Sequence, residues 1–413
     1  VARVVEAVFP ARMGTPFRWL VGSSWASDLG DGLAVAAGPL LVASQTSDPV
    51  LVALAGLLQR LPWLLFGLHA GVLADRLDRR RVVVAVDVVR ACVLAVLVGA
   101  LLTGAVSVPV VLGTVFLLGT AEVFADTTSA TLLPMVVPRA DLGVGNARLM
   151  AGRITMNQLV GPAVGAVLFA IGTAWPFAVQ AVCLLLAALL VSRMVVPPLP
   201  APEGPRHVRR DIAEGFRWTW GNPAVRTLTL TIVTFNVTWG AAWSVLVLYA
   251  AERLGLGPVG FGLLSTVGAL GGIVGTAGYD RLERLVSLAW IMRVGLVIET
   301  LTHLGLALTT TPWVAMTIVF VFGAHAFVWG TTSRTVRMRA VPASLQGRVG
   351  SLYSIGVFGG IVAGQALGGV IARIWGVTGP FWFAFVGSAV ILALIWRELA
   401  HIAHADDAAV RAG

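Results

Sequence analysis

The sequence predicts an all-α integral membrane protein whose twelve transmembrane helices form two pseudo-symmetric six-helix bundles. Three observations lead there. The 413 residues are 57% hydrophobic and 12% charged, with a mean hydropathy of +0.88, a composition that ordinary water-soluble domains do not show. A bilayer crossing takes about 20 apolar residues, so with short turns this length accommodates about a dozen helices. The arginines segregate to one side of those crossings, and the second half of the chain repeats the first.

In the first half the apolar stretches run over 17–43, 50–74, 82–102, 108–130, 151–171 and 174–196. Span 1 carries Asp28 and Asp31, three apart and therefore on one helix face. Span 2 ends in an arginine-rich turn containing Arg76, Arg79, Arg80 and Arg81, and span 3 resumes at Val82 with Asp87 and Arg90 inside it. Span 4 bears Glu122 and Asp126, four apart, and span 5 contains Gly161, Pro162 and Gly165. The first bundle is read as 1–196. A linker at 197–225 follows, Pro-rich at its start, with a short amphipathic surface helix from Asp211 to Trp220. The second bundle and tail occupy 226–413, with spans at 226–250, 258–279, 287–308, 312–333, 350–372 and 379–400. Span 7 carries Asn236, Trp239 and Trp243, span 9 carries Glu299 and His303, and span 10 carries His325 and Trp329. Gly271 and Gly275 in span 8 and Gly356, Gly360, Gly364 and Gly368 in span 11 recur at a spacing that lets helix backbones approach closely in lipid.

All 29 basic residues are arginine, and their placement accounts for the net charge of +9 without a nucleic-acid partner. Arg253 and Arg373 fall on one side of the predicted membrane, and Arg60, Arg90 and Arg293 lie within spans. All the others occupy the termini, the 2–3, 4–5, 6–7, 8–9 and 10–11 turns or the span ends that adjoin them, which by the positive-inside rule puts both termini in the cytoplasm. A bacterial cytoplasmic membrane is the expected location. Cys92 and Cys183 both sit in spans, so no disulfide is expected.

The internal repeat has a nearly constant offset. Thr127-Thr128-Ser129 matches Thr331-Thr332-Ser333, Val137-Pro138 matches Val341-Pro342, and Gly143 matches Gly347, each 204 residues apart. Gly161-Pro162-Ala163-Val164-Gly165 aligns with Gly364-Gln365-Ala366-Leu367-Gly368, and aligning Arg18 with Arg226 sets Asp28 opposite Asn236 and Gly32 opposite Gly240. Repeated halves with a site near the midplane are a transporter pattern.

The run Gly71-Val72-Leu73-Ala74-Asp75-Arg76-Leu77-Asp78-Arg79-Arg80-Arg81, wedged between two apolar spans, resembles motif A of the major facilitator superfamily. A weaker echo stands at Gly278-Tyr279-Asp280-Arg281. Phe17-Arg18, Leu29-Gly30-Asp31, Leu61-Pro62-Trp63-Leu64-Leu65-Phe66-Gly67 and Phe124-Ala125-Asp126 narrow the resemblance to its macrolide-efflux and enterobactin-exporter branch of drug:proton antiporters. The resemblance covers essentially the whole chain and implies the major facilitator fold. It also implies that spans 1, 4, 7 and 10 line a cavity, that 2, 5, 8 and 11 form the seam between halves, and that 3, 6, 9 and 12 lie outside. Gly71 is expected to allow close helix approach there, with Asp75 facing a helix N-terminus, so that Gly71, Asp75, Arg76, Arg79, Arg80, Arg81, Asp87 and Arg90 form a conformational gate at the cytoplasmic end. Gly161-Pro162-Ala163-Val164-Gly165-Ala166 resembles motif C, which marks antiporters, with Ala166 where a second glycine is usual.

An ionised carboxylate at the bilayer centre costs at least about 2.5 kcal/mol unless it is paired, hydrated or protonated. Asp28, Asp31, Glu122, Asp126 and His325 are therefore the proton-coupling candidates, with Arg60 able to neutralise Asp31 and Arg90 able to pair with Asp87 or an acid on span 4. Asp28, Asp31, Glu122, Asn236, Trp239, Trp243, His325 and Trp329 are the cavity candidates, an acidic wall and an aromatic wall suited to lipophilic molecules, cationic ones among them. Glu299 and His303 are expected to pair with each other or with Arg293. His401, His404, Asp406 and Asp407 resemble metal ligands only superficially, and no metal site is expected. No constellation of nucleophile, base and metal suggests an enzyme, and a chain without lysine cannot carry a P-loop.

The expected function is secondary active export of small lipophilic molecules by proton antiport with alternating access. The proton gradient would be the energy source, no cofactor is needed, and substrate, protons and membrane lipid would be the partners of a monomer. The alternatives are a dedicated siderophore or secondary-metabolite exporter and a non-transporting membrane sensor or scaffold with the same fold.

Overall fold

The computed structural model describes residues 13–195, 208–342 and 345–399. The first half folds into α1 (Gly14–Gln45), α2 (Pro49–Arg76), α3 (Arg79–Leu102), α4 (Val108–Ser129), α5 (Arg139–Ile171) and α6 (Trp175–Ser192). A linker helix (Val208–Gly221) leads to α7 (Pro223–Trp243), α8 (Pro258–Leu285), α9 (Leu288–Leu308), α10 (Pro312–Ala340), α11 (Gln346–Trp375) and α12 (Gly379–Ile395). Helices α1 to α11 are long and apolar enough to cross a membrane, and α12, at 17 residues, is the short one. Helices are the expected form, because lipid offers no partner to backbone N–H and C=O groups.

The helix boundaries have local causes. Asp78 accepts from the Arg81 N–H at the start of α3, Asn222 caps Val225 before α7, and Ser287 caps Trp290 before α9. Gly104 and Gly376, with φ of 70° and 76°, turn the chain after α3 and α11 in a conformation that side chains resist. Helix α5 begins twelve residues earlier than the sequence reading placed span 5, at Arg139 rather than 151. Polar Asn146 and Arg148 hide an apolar face, on which Leu142, Val144 and Leu149 pack against the cluster of Met13, Phe17, Leu20 and Leu133. Its middle, Arg153–Val160, is π-helical and runs into Gly161-Pro162, where proline supplies no N–H. The Pro-rich linker start and the tail with His401, His404, Asp406 and Asp407 lie outside the described residues.

The chain forms two compact units. Unit 1 is Val1–Thr46, Leu58–Gly204 and Gly257–Thr266, and unit 2 is Ser47–Leu57, Pro205–Leu256 and Val267–Gly413. The boundary therefore cuts through α2 and α8, so the first turns of each cluster with helices from the other half of the sequence. Within unit 1, α1 packs on α5 and α6, and α3 on α4 and α6. Within unit 2 the same scheme recurs, α7 on α11 and α12, and α9 on α10 and α12. In unit 2 the linker helix docks on α11 through Glu214 and Arg348, paired at 2.8 Å, and its half-exposed Phe216 and Trp220 stack at 5.5 Å.

Glycines set the closest packing, and their stripes face helices of their own unit. The α11 stripe faces α7 inside unit 2: a Cβ on Gly364 would lie 3.0 Å from Gly240 Cα, and one on Gly240 would lie 2.7 Å from Ile361 O. The equivalent contact in unit 1 joins Gly161 and Gly165 of α5 to Gly32 and Leu33 of α1, where a Cβ on Gly165 would lie 2.9 Å from Leu33 Cα. Gly271 and Gly275 likewise face α10 within unit 2. Gly119 approaches the backbone of Gln59 on α2, and Gly323, 204 residues later, approaches the backbone of Gly268 on α8. Ala166, where motif C usually has glycine, abuts Gly262, so a small residue on the partner helix makes room for the extra methyl. Around Gly71 no described atom lies within 4 Å of where a Cβ would sit.

A side chain forced between these backbones has nowhere to go. Gly165→Leu and Gly364→Leu should each destabilise the protein by about 1–3 kcal/mol through overpacking. Gly113→Ala, at a position with nothing within 4 Å, should be close to neutral when all three are compared by thermal unfolding in detergent.

Candidate functional site

Five carboxyl groups meet inside unit 1: Asp28 and Asp31 on α1, Asp87 on α3, and Glu122 and Asp126 on α4. Asp31 and Arg90 form a buried ion pair that ties α1 to α3, the guanidinium being 2% exposed. Arg90 Nη1 also stands 3.5 Å from Asp87 Oδ1, and Gln180 of α6 donates to Asp31 Oδ1 at 3.5 Å. Arg90 lies eleven residues into α3, about 16 Å from the arginine-rich turn at the helical rise. It thus joins the acid cluster rather than the turn, and Asp87, also buried, goes with it. Arg60 forms no ion pair with Asp31, whose partner is Arg90.

The other acids are placed differently. Asp28 accepts the Ser24 hydroxyl at 3.2 Å, and Ser27 donates to Asp31 at 3.5 Å, each from one turn earlier on α1. Asp126 pairs with Arg153 at 3.6 Å, joining α4 to the π-helical segment of α5, and is 29% exposed. Glu122, partly buried, has no hydrogen bond or ion pair within 4 Å among the described residues. It lies within Coulombic reach of Asp31, Asp126, Arg90 and Arg60. Two paired guanidiniums therefore answer five carboxyls, and two of the acids, Asp28 and Glu122, lack a cation at contact distance.

Unit 2 offers aromatic surface in place of acids. Trp239 and Trp243 of α7 stack at 5.6 Å, and Trp243 continues onto Phe322 at 4.8 Å and onto the edge of His303 at 6.1 Å. Both tryptophans are partly exposed. Asn236 turns its amide back to Ile232 O at 2.7 Å, so the residue opposite Asp28 caps its own helix backbone. Trp329 is buried among Leu228, Phe235, Met292 and Leu296, and serves packing rather than a binding surface. His325 Nε2 faces Glu299 Oε2 at 3.4 Å in the interior, replacing the expected pair of Glu299 with His303 or Arg293. His303 is fully buried with neither ring nitrogen bonded among the described residues, while Arg293 donates to Trp396 O.

Of the motif A residues, Arg80 donates to Met194 O at 2.8 Å, Arg79 to the Met135 sulfur at 3.1 Å, and Arg76 and Arg81 are exposed. The Asp75 side chain lies outside the described set. Gly161, Pro162 and Gly165 form the α1 contact described above. Arg153 and Gln180 went unnoticed in the sequence, although a glutamine in the otherwise apolar stretch 175–192 is a legible signal. Among the described residues no three His, Cys, Asp or Glu side chains converge as a metal site.

Comparison with known proteins agrees with this architecture. The sequence pattern of the family described as "Transmembrane secretion effector" matches residues 7–411. The multidrug efflux pump Tap of Mycolicibacterium fortuitum is 29% identical over 375 residues, 84% of this chain and 88% of that protein. The enterobactin exporter EntS of Escherichia coli strain K12 is 26% identical over 345 residues, 80% of either protein. Among solved structures, a bacterial homologue of the iron transporter ferroportin in an inward-facing state superposes with a TM-score of 0.73 at 16% identity, covering 94% of this chain and 98% of that one. A bacterial homologue of the lysosomal transporter Spinster gives 0.69 at 16% identity over 97% and 96%. At that identity the structures speak for the fold alone. This chain is a multi-pass membrane transporter, not an enzyme, and belongs to the transmembrane secretion effector family of the major facilitator superfamily.

Proposed function

We propose that the protein exports small lipophilic molecules, cationic ones among them, across the bacterial cytoplasmic membrane in exchange for protons. The proton gradient drives transport through alternation between facing states, both termini are cytoplasmic, and the monomer is the working unit. The observation that carries this reading is the surplus of carboxyls over paired guanidiniums within the acid cluster of unit 1, with Asp28 and Glu122 lacking a cation at contact distance. Excess negative charge in a low-dielectric interior is offset by taking up protons or a cationic substrate. When both compete for one carboxylate, binding of one releases the other, which is the elementary step of antiport. Asp31, held by Arg90, is in this reading a static pair, and Glu122 and Asp28 do the exchanging.

The stacked Trp239 and Trp243, continued by Phe322, supply faces for aromatic and cationic cargo. The multidrug pump among the relatives supports a broad lipophilic cargo, and the enterobactin exporter favours a second reading, a dedicated siderophore or metabolite exporter. Transport in proteoliposomes under an imposed pH gradient separates them, since a panel of amphiphiles carried broadly supports the first and enterobactin carried alone the second. No coupled flux for any of them would leave a sensor or scaffold.

Four outcomes follow from the geometry. Glu122→Gln should abolish uphill, uncoupler-sensitive accumulation in proteoliposomes while leaving downhill substrate exchange measurable. Arg90→Leu should destabilise the protein by about 3–5 kcal/mol, because it strands two buried carboxylates, and adding Asp31→Leu should recover much of that loss in unfolding experiments. Trp239→Ala should weaken binding of an aromatic cation by about 0.5–2 kcal/mol with little change in stability. Trp329→Ala should instead lower stability by about 3–5 kcal/mol, as measured by thermal unfolding.

A further inference from the structure

A cavity of about 190 Å³ lies in unit 2 at the turn between α10 and α11, lined by Arg334, Arg337, Met338, Val341, Gln346 and Gly350. That volume is well above the about 15 Å³ of accessible space one water needs. Its charge is unbalanced. Neighbouring arginines are answered, Arg339 by Glu283 at 3.6 Å and Arg348 by Glu214 at 2.8 Å, whereas Arg334 and Arg337 have no carboxylate within 4 Å among the described residues. Arg337 is also held in place: its guanidinium lies 4.0 Å over the Tyr353 ring, and the Tyr353 hydroxyl is fixed by Ser333 at 2.9 Å. In that position Nη1 is sealed from solvent with no acceptor among the described residues. A cation at a helix C-terminus is favoured by the dipole, but the dipole does not require a buried, unanswered N–H, which costs free energy wherever it stands.

The geometry points to a binding site for a phosphate-type oxyanion at the junction of α10 and α11, held by charge-assisted hydrogen bonds from Arg334 and Arg337. Guanidinium forks match the oxygen spacing of phosphate and bind it more firmly than point charges do. Gln346 donates to Met338 O and Val341 O at 3.3 and 3.4 Å, which keeps the turn folded around the cavity. Met338, exposed and apolar, and Val341 flank the charged side, so the same site could take free phosphate or the headgroup of an anionic phospholipid.

The test is calorimetric titration of the purified full-length protein in neutral detergent, with inorganic phosphate in one arm and short-chain phosphatidylglycerol in the other. Saturable binding in either arm is expected, weakened about tenfold or more by Arg334→Gln and by Arg337→Gln, the loss of a charge-assisted hydrogen bond, and unchanged by Arg339→Gln. Binding of phosphate identifies a soluble oxyanion as sufficient, and binding of the lipid alone identifies the headgroup with its apolar flank. Should Arg337→Gln fail to fold, Arg334→Gln at its exposed position decides. Absence of saturable binding in both arms, or an equal loss in Arg339→Gln, overturns the proposal.

Discussion

Backbone laid directly on backbone at Gly32 and Gly161 in one unit, and at Gly240 and Gly364 in the other, is the contact on which the rest of the molecule depends. Lipid removes the hydrophobic drive that would press helices together in water, so close van der Waals approach has to replace it. Only residues without a Cβ permit such an approach. Once α1 is seated on α5 and α7 on α11, the remaining pairings, α6 on α1 and α3 and α12 on α7 and α9, follow in both units by the same scheme. The acid cluster sits on that framework. Asp31 adjoins Gly32 and Asp28 is about one turn from it, so their position relative to Arg90 is inherited from a glycine contact.

The two units use one scaffold for different chemistry. Where unit 1 has Asp28, unit 2 has Asn236, whose amide is spent on its own helix. Where unit 1 holds Glu122 and Asp126 on α4, unit 2 brings Phe322 and His325 on α10 to Trp243 and Glu299. Duplication gave both halves the same glycines and left the polar positions to diverge. In the proposed antiport the carboxyls of unit 1 take up protons or a cationic cargo, and the stacked tryptophans of unit 2 supply aromatic surface.

The π-helical segment Arg153–Val160 links these themes. It lies between the ion pair of Arg153 with Asp126 and the Gly161 contact with α1, in the helix broken by Pro162. A wide turn stores a looser backbone than regular helix and is a common feature of functional sites. Protonation of Asp126 on α4 would release Arg153 at the start of that segment.

Much was legible in the sequence because it is local. Span count, the arginine turn, the offset of 204 residues and the small-residue stripes each depend on composition or spacing along a single stretch. The helical start of α5 was missed because Asn146 and Arg148 mask an apolar face that only packing against Phe17 and Leu20 reveals. Which stripe meets which helix was beyond the sequence, since a glycine repeat states that something approaches closely and not what. Pairing is the same kind of question. Arg90 and Asp31 are 59 residues apart, and Glu299 and His325 are 26 apart, so their meetings depend on helix rotation within a bundle rather than on spacing. The sequence by itself determined the class of molecule, its repeat and the list of charged residues inside the membrane. The tertiary structure alone decided that Arg90 satisfies Asp31, that Trp329 is core, and that Glu122, Arg334 and Arg337 stand unanswered, because charge compensation is set by three-dimensional neighbours.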